Sequence, residues 1–146
     1  MDVGQTNVVK HGAETVLLVD DESGVRKYMR KVLEAHGYRV LDAGDGDDAM
    51  ELARHGGRID LLLTDDVLPG MQGTEVIRQF RELWPGVPAV RMSGYPEHYA
   101  GYRDEGVGYL GKPFSPQGLL GRVREVLEAT PGSRCDSGEM SEAVSA

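Results

Sequence analysis

Thr15-Val16-Leu17-Leu18-Val19-Asp20-Asp21 is an unbroken apolar run closed by two acids. Apolar residues without alternation suit a strand buried on both faces, the environment of a parallel sheet. Ser23 is placed to cap a helix directly afterwards. Val25, Tyr28, Met29, Val32 and Leu33 then fall on one helical face. Gly37 closes that helix as its C-cap. The unit recurs along the chain. Tyr38–Leu41 reads as a second, weaker strand, followed by a helix from about Asp47 to Arg54 that Gly56-Gly57 stop. Ile59–Thr64 is a third, almost wholly apolar strand, and Pro69-Gly70 breaks the chain after it. Val76, Ile77, Phe80, Leu83 and Trp84 give the next helical stripe, which Pro85 ends. Pro88–Met92 is the fourth strand, with a poor helix over about Glu97–Arg103. Val107–Leu110 is the fifth strand, and Ser115 and Pro116 start the last helix as N-cap and first helical residue. Alternating strand and helix imply a parallel sheet covered by helices on both faces. Five such units predict an α/β doubly wound sheet in the flavodoxin-like order 2-1-3-4-5.

Composition bounds the rest. At 146 residues the chain is long enough for one domain with its own core. Residues 1–13 read as a flexible lead, 14–130 as the domain and 131–146 as a small, polar, disordered tail. Acids outnumber bases by 24 to 16, a net charge of −8, which argues against direct nucleic-acid binding. Residues 1–14 hold −1 and the tail −2, leaving −5 in residues 15–130. Cys135 is the one cysteine, so no disulfide framework or Cys-based zinc site is available. The four histidines, His11, His36, His55 and His98, have no ligand spacing. No apolar run nears the roughly 18 residues of a membrane span, and the N-terminus lacks a secretory signature. A cytoplasmic location without membrane attachment is expected. Gly makes up 20 of the 146 residues, about double the usual share of roughly 7%; ten short elements need that many tight connections.

In a doubly wound sheet the site lies beyond the carboxyl ends of the strands, near the switch point between strands 1 and 3. Strand 1 ends at Asp20-Asp21, strand 3 at Asp65-Asp66, strand 4 at Ser93 and strand 5 near Lys112. Carboxylates that converge repel one another unless a cation joins them, and hard oxygen donors with few carboxylates suit Mg²⁺. A hydroxyl and an ammonium opposite suit a phosphoryl group. Together they form a site for making an aspartyl phosphate.

Four strings carry a resemblance. They are Val-Leu-Leu-Val-Asp-Asp-Glu at 16–22, Leu-Leu-Leu-Thr-Asp-Asp-Val-Leu-Pro-Gly-Met at 61–71, Met-Ser-Gly-Tyr at 92–95 and Gly-Lys-Pro-Phe at 111–114. In this order, each at a strand end, they resemble the receiver domain of two-component response regulators over about residues 14–129. The resemblance implies that Asp65, four residues before Pro69, is the phosphoacceptor. It implies Mg²⁺ held by Asp20, Asp21 and Asp65 and by the backbone carbonyl of Val67. Ser93 becomes the hydroxyl that follows the phosphoryl group and Lys112 the conserved-type lysine, with Pro113 at the cis-proline position and Tyr109 as the aromatic switch. The implied donor is a phosphohistidine on a histidine kinase or histidine phosphotransfer protein. The implied output is a shift of the face built from the fourth helix, fifth strand and fifth helix, read by a downstream protein. The domain would promote its own phosphorylation and dephosphorylation, a switch more than an enzyme. The lead-in Gly-Ala-Glu-Thr-Val-Leu-Leu-Val resembles the approach to C-terminal receivers of hybrid histidine kinases, so a stand-alone regulator and a piece of such a kinase both stay open.

Three departures qualify that picture. Asp66 stands where the family often has an apolar residue and is expected beside the pocket, adding negative charge. Arg91 interrupts an apolar strand, and because a buried unpaired charge is costly it should reach a carboxylate or the sheet's end. Lys112 follows Ser93 by 19 positions, a few residues fewer than the family's typical gap, so the fourth helix is expected to be short or frayed. A degenerate receiver acting as a phosphorylation-independent interaction module is the alternative function. A flavin carrier of the same fold is disfavoured, since Asp20-Asp21-Glu22 would repel its phosphate.

Overall fold

The computed structural model describes residues 14–94 and 107–129. Its elements are β1 (Thr15–Val19), α1 (Ser23–Ala35), β2 (Arg39–Ala43), α2 (Gly46–His55), β3 (Leu61–Asp65), α3 (Gly73–Leu83), β4 (Ala89–Ser93), β5 (Val107–Gly111) and α4 (Pro116–Ala129). The strands form one sheet in the order β2-β1-β3-β4-β5, with every pairing parallel. The doubly wound order expected from the sequence is therefore the observed one. The fourth predicted helix, with Tyr95, Tyr99 and Tyr102, falls outside the described residues, as do both chain ends. α4 is accordingly the fifth helix predicted from sequence.

Register explains why the strands read as continuous apolar runs. Val16 pairs with Leu61 and Leu18 with Leu63, and Leu63 in turn with Val90. These residues face α1 and α4, where they pack with Met29, Leu33, Leu119 and Val123. Leu17 pairs with Leu62, and Leu62 with Ala89. They face the other way, onto Ala49 and Met50 of α2 and Val76, Ile77 and Phe80 of α3. Both faces of the central strands are dry, so alternation has no polar side to mark. Each fully buried Leu contributes about 1.5–3 kcal/mol relative to exposure.

Several boundaries differ from the sequence reading for local reasons. Ser23 is the first helical residue of α1, and the N-cap is Glu22, which makes no side-chain cap bond. Asp20 Oδ1 takes the N–H of that cap residue at 2.9 Å, which fixes the turn from strand end to helix. Gly37 lies one residue past the cap His36, at φ +93°, where a side chain is disfavoured. Tyr38 precedes β2 instead of opening it; its ring joins the core and its hydroxyl accepts a hydrogen bond from Arg124 at 2.8 Å. β3 starts at Leu61 because Asp60 is spent on the edge of β1, its Oδ2 accepting the Thr15 N–H at 2.9 Å. Asp45 caps α2 by accepting from Asp48 N at 2.8 Å, so the helix starts one residue before the expected Asp47. Ser115 caps α4 as predicted, accepting from Gly118 N at 2.9 Å.

Candidate functional site

The carboxyl ends of β1, β3, β4 and β5 converge at one edge of the sheet. Asp20, immediately after β1, is fully buried, and its backbone N–H is held by the Ala43 carbonyl at 3.1 Å. Asp21 is exposed beside it. Asp65 closes β3 with its side chain 13% exposed. Carboxylate oxygens of Asp20, Asp21 and Asp65 lie within 4.8 Å of one another. Lys112 reaches into the same group from the end of β5, with Nζ 3.3 Å from Asp20 Oδ2 and 3.2 Å from Asp65 Oδ1. The sheet thus brings together side chains 92 positions apart in the chain.

The electrostatics follow from that crowding. Burial lifts the Asp65 carboxyl from 3.8 to about 6; Lys112 opposes the rise and Asp20 adds to it. Burial lowers the proton affinity of Lys112, but the facing Asp20 and Asp65 outweigh it and the net direction is upward. Lys112 thus stays an ammonium. One ammonium against three carboxylates leaves a net negative pocket of hard oxygen donors. Such a donor set fits a divalent cation, and its few carboxylates open to water favour Mg²⁺.

Asp65 Oδ1 also accepts the Asp66 N–H at 3.1 Å, so the hydrogen bonds to this carboxylate from described residues converge on Oδ1. Gly73, at the start of α3, sits against the Asp65 backbone. A Cβ there would lie 2.3 Å from the Asp65 carbonyl oxygen, so only glycine lets α3 approach the strand end this closely.

Ser93 ends β4 and is buried. Its carbonyl accepts the Lys112 N–H at 2.9 Å and the Tyr109 hydroxyl at 3.1 Å, which ties the ends of β4 and β5 together. The Lys112–Pro113 peptide is cis, as the family pattern implied. Val67 lies in the turn after β3 with its side chain 56% exposed, next to the acidic group in sequence.

Asp66 corrects an expectation. Its carboxylate is paired away from the acidic group, Oδ1 accepting from Arg91 Nη2 at 2.7 Å and from Nε at 3.2 Å. Asp65 and Asp66 therefore take different cations, Lys112 and Arg91. Arg91 meets a carboxylate, as a buried charge inside a strand required. Arg26 was missed by the sequence reading. It donates to the Asp20 carbonyl and to Asp42 Oδ2 at 3.0 Å, pinning the strand end that carries the acids. A long cation one turn into the helix after an acidic strand end was the available signal.

The model of the response regulator receiver domain matches residues 16–124. Among relatives, the sensor kinase CckA of Brucella abortus is 37% identical over 121 residues, which cover 80% of this chain and 13% of that protein. The probable transcriptional regulatory protein TcrX of Mycobacterium tuberculosis is 34% identical over 127 residues, 85% of this chain and 54% of that one. The chain therefore spans only part of these curated relatives. Among solved structures, the receiver domain of the hybrid histidine kinase CckA superposes with a TM-score of 0.69 at 35% identity, covering 77% of this chain and 98% of that one. The chemotaxis response regulator CheY4 of Vibrio cholerae gives a TM-score of 0.71 at 30% identity, with 77% and 98% covered. A family match that spans most of the chain, on a sheet of the same order, makes this chain a member of the response regulator receiver domain family.

Proposed function

We propose that this receiver accepts a phosphoryl group from a phosphohistidine onto Asp65, at a Mg²⁺ site formed by Asp20, Asp21, Asp65 and the Val67 carbonyl. The observation that carries the reading is the grouping of three carboxylates around Lys112 at the switch-point edge of the sheet. Asp65 is the one acid in that group standing at the end of β3 with its bonded oxygen turned to Lys112 and Asp66 N–H. An Asp65 oxygen attacks phosphorus, the P–N bond to the donor imidazole breaks, and the imidazole leaves with the electron pair. Lys112 follows the charge that passes from carboxylate to acyl phosphate, and the Ser93 hydroxyl donates to a phosphoryl oxygen. Bound Mg²⁺ would supply charge neutralisation to the phosphoryl oxygens. Tyr109, hydrogen-bonded to the Ser93 carbonyl, is placed to report a movement of Ser93 to the face that includes β5 and α4, where a downstream protein would read it.

The donor is a histidine kinase or histidine phosphotransfer protein, and the setting is cytoplasmic. Among the described residues no helix is long and apolar enough to cross a membrane. The test is direct. Incubation with Mg²⁺ and a small phosphodonor, followed by mass spectrometry, should place one added phosphoryl group on Asp65. Absence of uptake, or uptake unchanged in Asp65→Asn, overturns the reading in favour of a phosphorylation-independent module.

A further inference from the structure

The pair Asp66–Arg91 is buried, with the residues 8% and 5% exposed, and it lies one residue from the acceptor. A buried ion pair is a poor source of stability, since an apolar pair of similar volume is often equal or better. Its position suggests a different use. Asp65 ends β3 and a second acid, Asp66, follows it, and only one can serve a site whose balance is already three carboxylates to one ammonium. Asp66 is fixed at three points, and its N–H is shared with Asp65 Oδ1 at 3.1 Å. Its carboxylate is bound to Arg91 through two guanidinium nitrogens. Its N–H is bound to the Met92 carbonyl at 2.8 Å, and its own carbonyl accepts the Gly73 N–H at 2.8 Å. Arg91 in turn sits two residues before Ser93 on β4, paired in register with Thr64.

We propose that Arg91 is a positioning residue that acts as a charge lock. It neutralises the Asp66 carboxylate and keeps it turned from the acceptor, so that among the acids only Asp20, Asp21 and Asp65 act on the cation. The inference rests on the proposed cation site and concerns what tunes it. Two substitutions should then move Mg²⁺ affinity in opposite directions. Arg91→Met removes the positive charge that offsets Asp66 and tightens Mg²⁺ binding by about threefold to tenfold, the effect of one unit charge screened close to the dielectric of water. Asp66→Asn is isosteric, removes one negative charge while Arg91 keeps its positive one, and weakens binding by a similar factor. Arg91→Lys keeps the charge and should stay within about twofold of the parent, as should the double variant Asp66→Val/Arg91→Met.

Calorimetric titration of the full chain with MgCl₂ reads these values without any phosphodonor, and far-ultraviolet circular dichroism establishes that each variant is folded. A purely structural pair would lower the melting temperature and leave Mg²⁺ affinity per folded molecule unchanged. Should Arg91→Met not fold, Asp66→Asn decides alone, and a change below twofold overturns the lock. If the parent chain binds Mg²⁺ and the variants match it, the lock fails and the cation site stands. If the parent binds no Mg²⁺, the cation site falls and the lock with it.

Discussion

Asp65 must be ionised to act as a nucleophile, yet it sits where ionisation is opposed. Burial raises its carboxyl to about 6, with Asp20 adding to the effect and Lys112 working against it. The folded state therefore holds this proton more tightly than the unfolded chain does. The linkage is of the sign that costs stability at high pH. The cost is complete above about pH 6 and fades as the pH falls from about 6 towards 4. Asp65→Asn, measured without metal, should thus stabilise the domain above pH 6 by about 1–2 kcal/mol after solvent screening is allowed for. The gain should vanish near pH 4. Urea melts of both proteins at pH 7.5 and pH 4 check this, and a variant less stable than the parent at pH 7.5 would refute it. At this scale the sequence was informative where a residue type was out of place. Arg91 inside an apolar strand announced a buried partner, and Asp66 supplied it. It was uninformative where the partner was a backbone group, as with Arg26 on the Asp20 carbonyl, because every residue offers one.

The elements were legible because their signals are periodic. Four strands ending in polar residues and four helices with one apolar face fix which residues enter which core, and the two clusters divide as the register requires. Boundaries were less legible because side chains compete for the same backbone groups. Asp20 and Asp60 take donors that a propensity argument gives to other residues. The approach of α3 to the acceptor strand is a second feature that spacing alone does not disclose. Gly73 permits it, and a methyl group would meet the Asp65 carbonyl at 2.3 Å. Since that contact is with backbone, it is not relieved by a rotamer change. Gly73→Ala should cost about 1–3 kcal/mol as overpacking, despite the better helix propensity of Ala. It should also slow phosphoryl uptake at Asp65, because the strand end must move. Chemical melts together with uptake rates test both parts; a stabilised Gly73→Ala domain would mean that the helix start is free to shift.

For the whole molecule, the charge of the domain and the fold are connected through the acidic group at the sheet's edge, the proposed cation site. Of the −5 carried by residues 15–130, Asp20, Asp21 and Asp65 are gathered within 4.8 Å, and Lys112 is the side-chain cation that faces their carboxylates at bonding distance among the described residues. The parallel sheet makes this arrangement hard to avoid, since its strand order places the ends of β1 and β3 side by side. A ligand that binds the folded state and not the unfolded chain stabilises it by mass action, about 2.7 kcal/mol at a hundredfold excess over its dissociation constant. Mg²⁺ should therefore raise the melting temperature by several degrees, given roughly 2–8 °C per kcal/mol for domains of this size range. The rise should be larger at pH 8 than at pH 5, because at pH 5 most Asp65 carboxyls with a pKa of about 6 hold a proton that the cation must displace. In Asp65→Asn the rise should shrink and its pH dependence flatten. Scanning calorimetry with and without MgCl₂ at the two pH values separates these outcomes. An equal rise in parent and variant would place the cation away from Asp65, whereas a rise confined to the parent at high pH ties the stability of the sheet to its carboxyl edge.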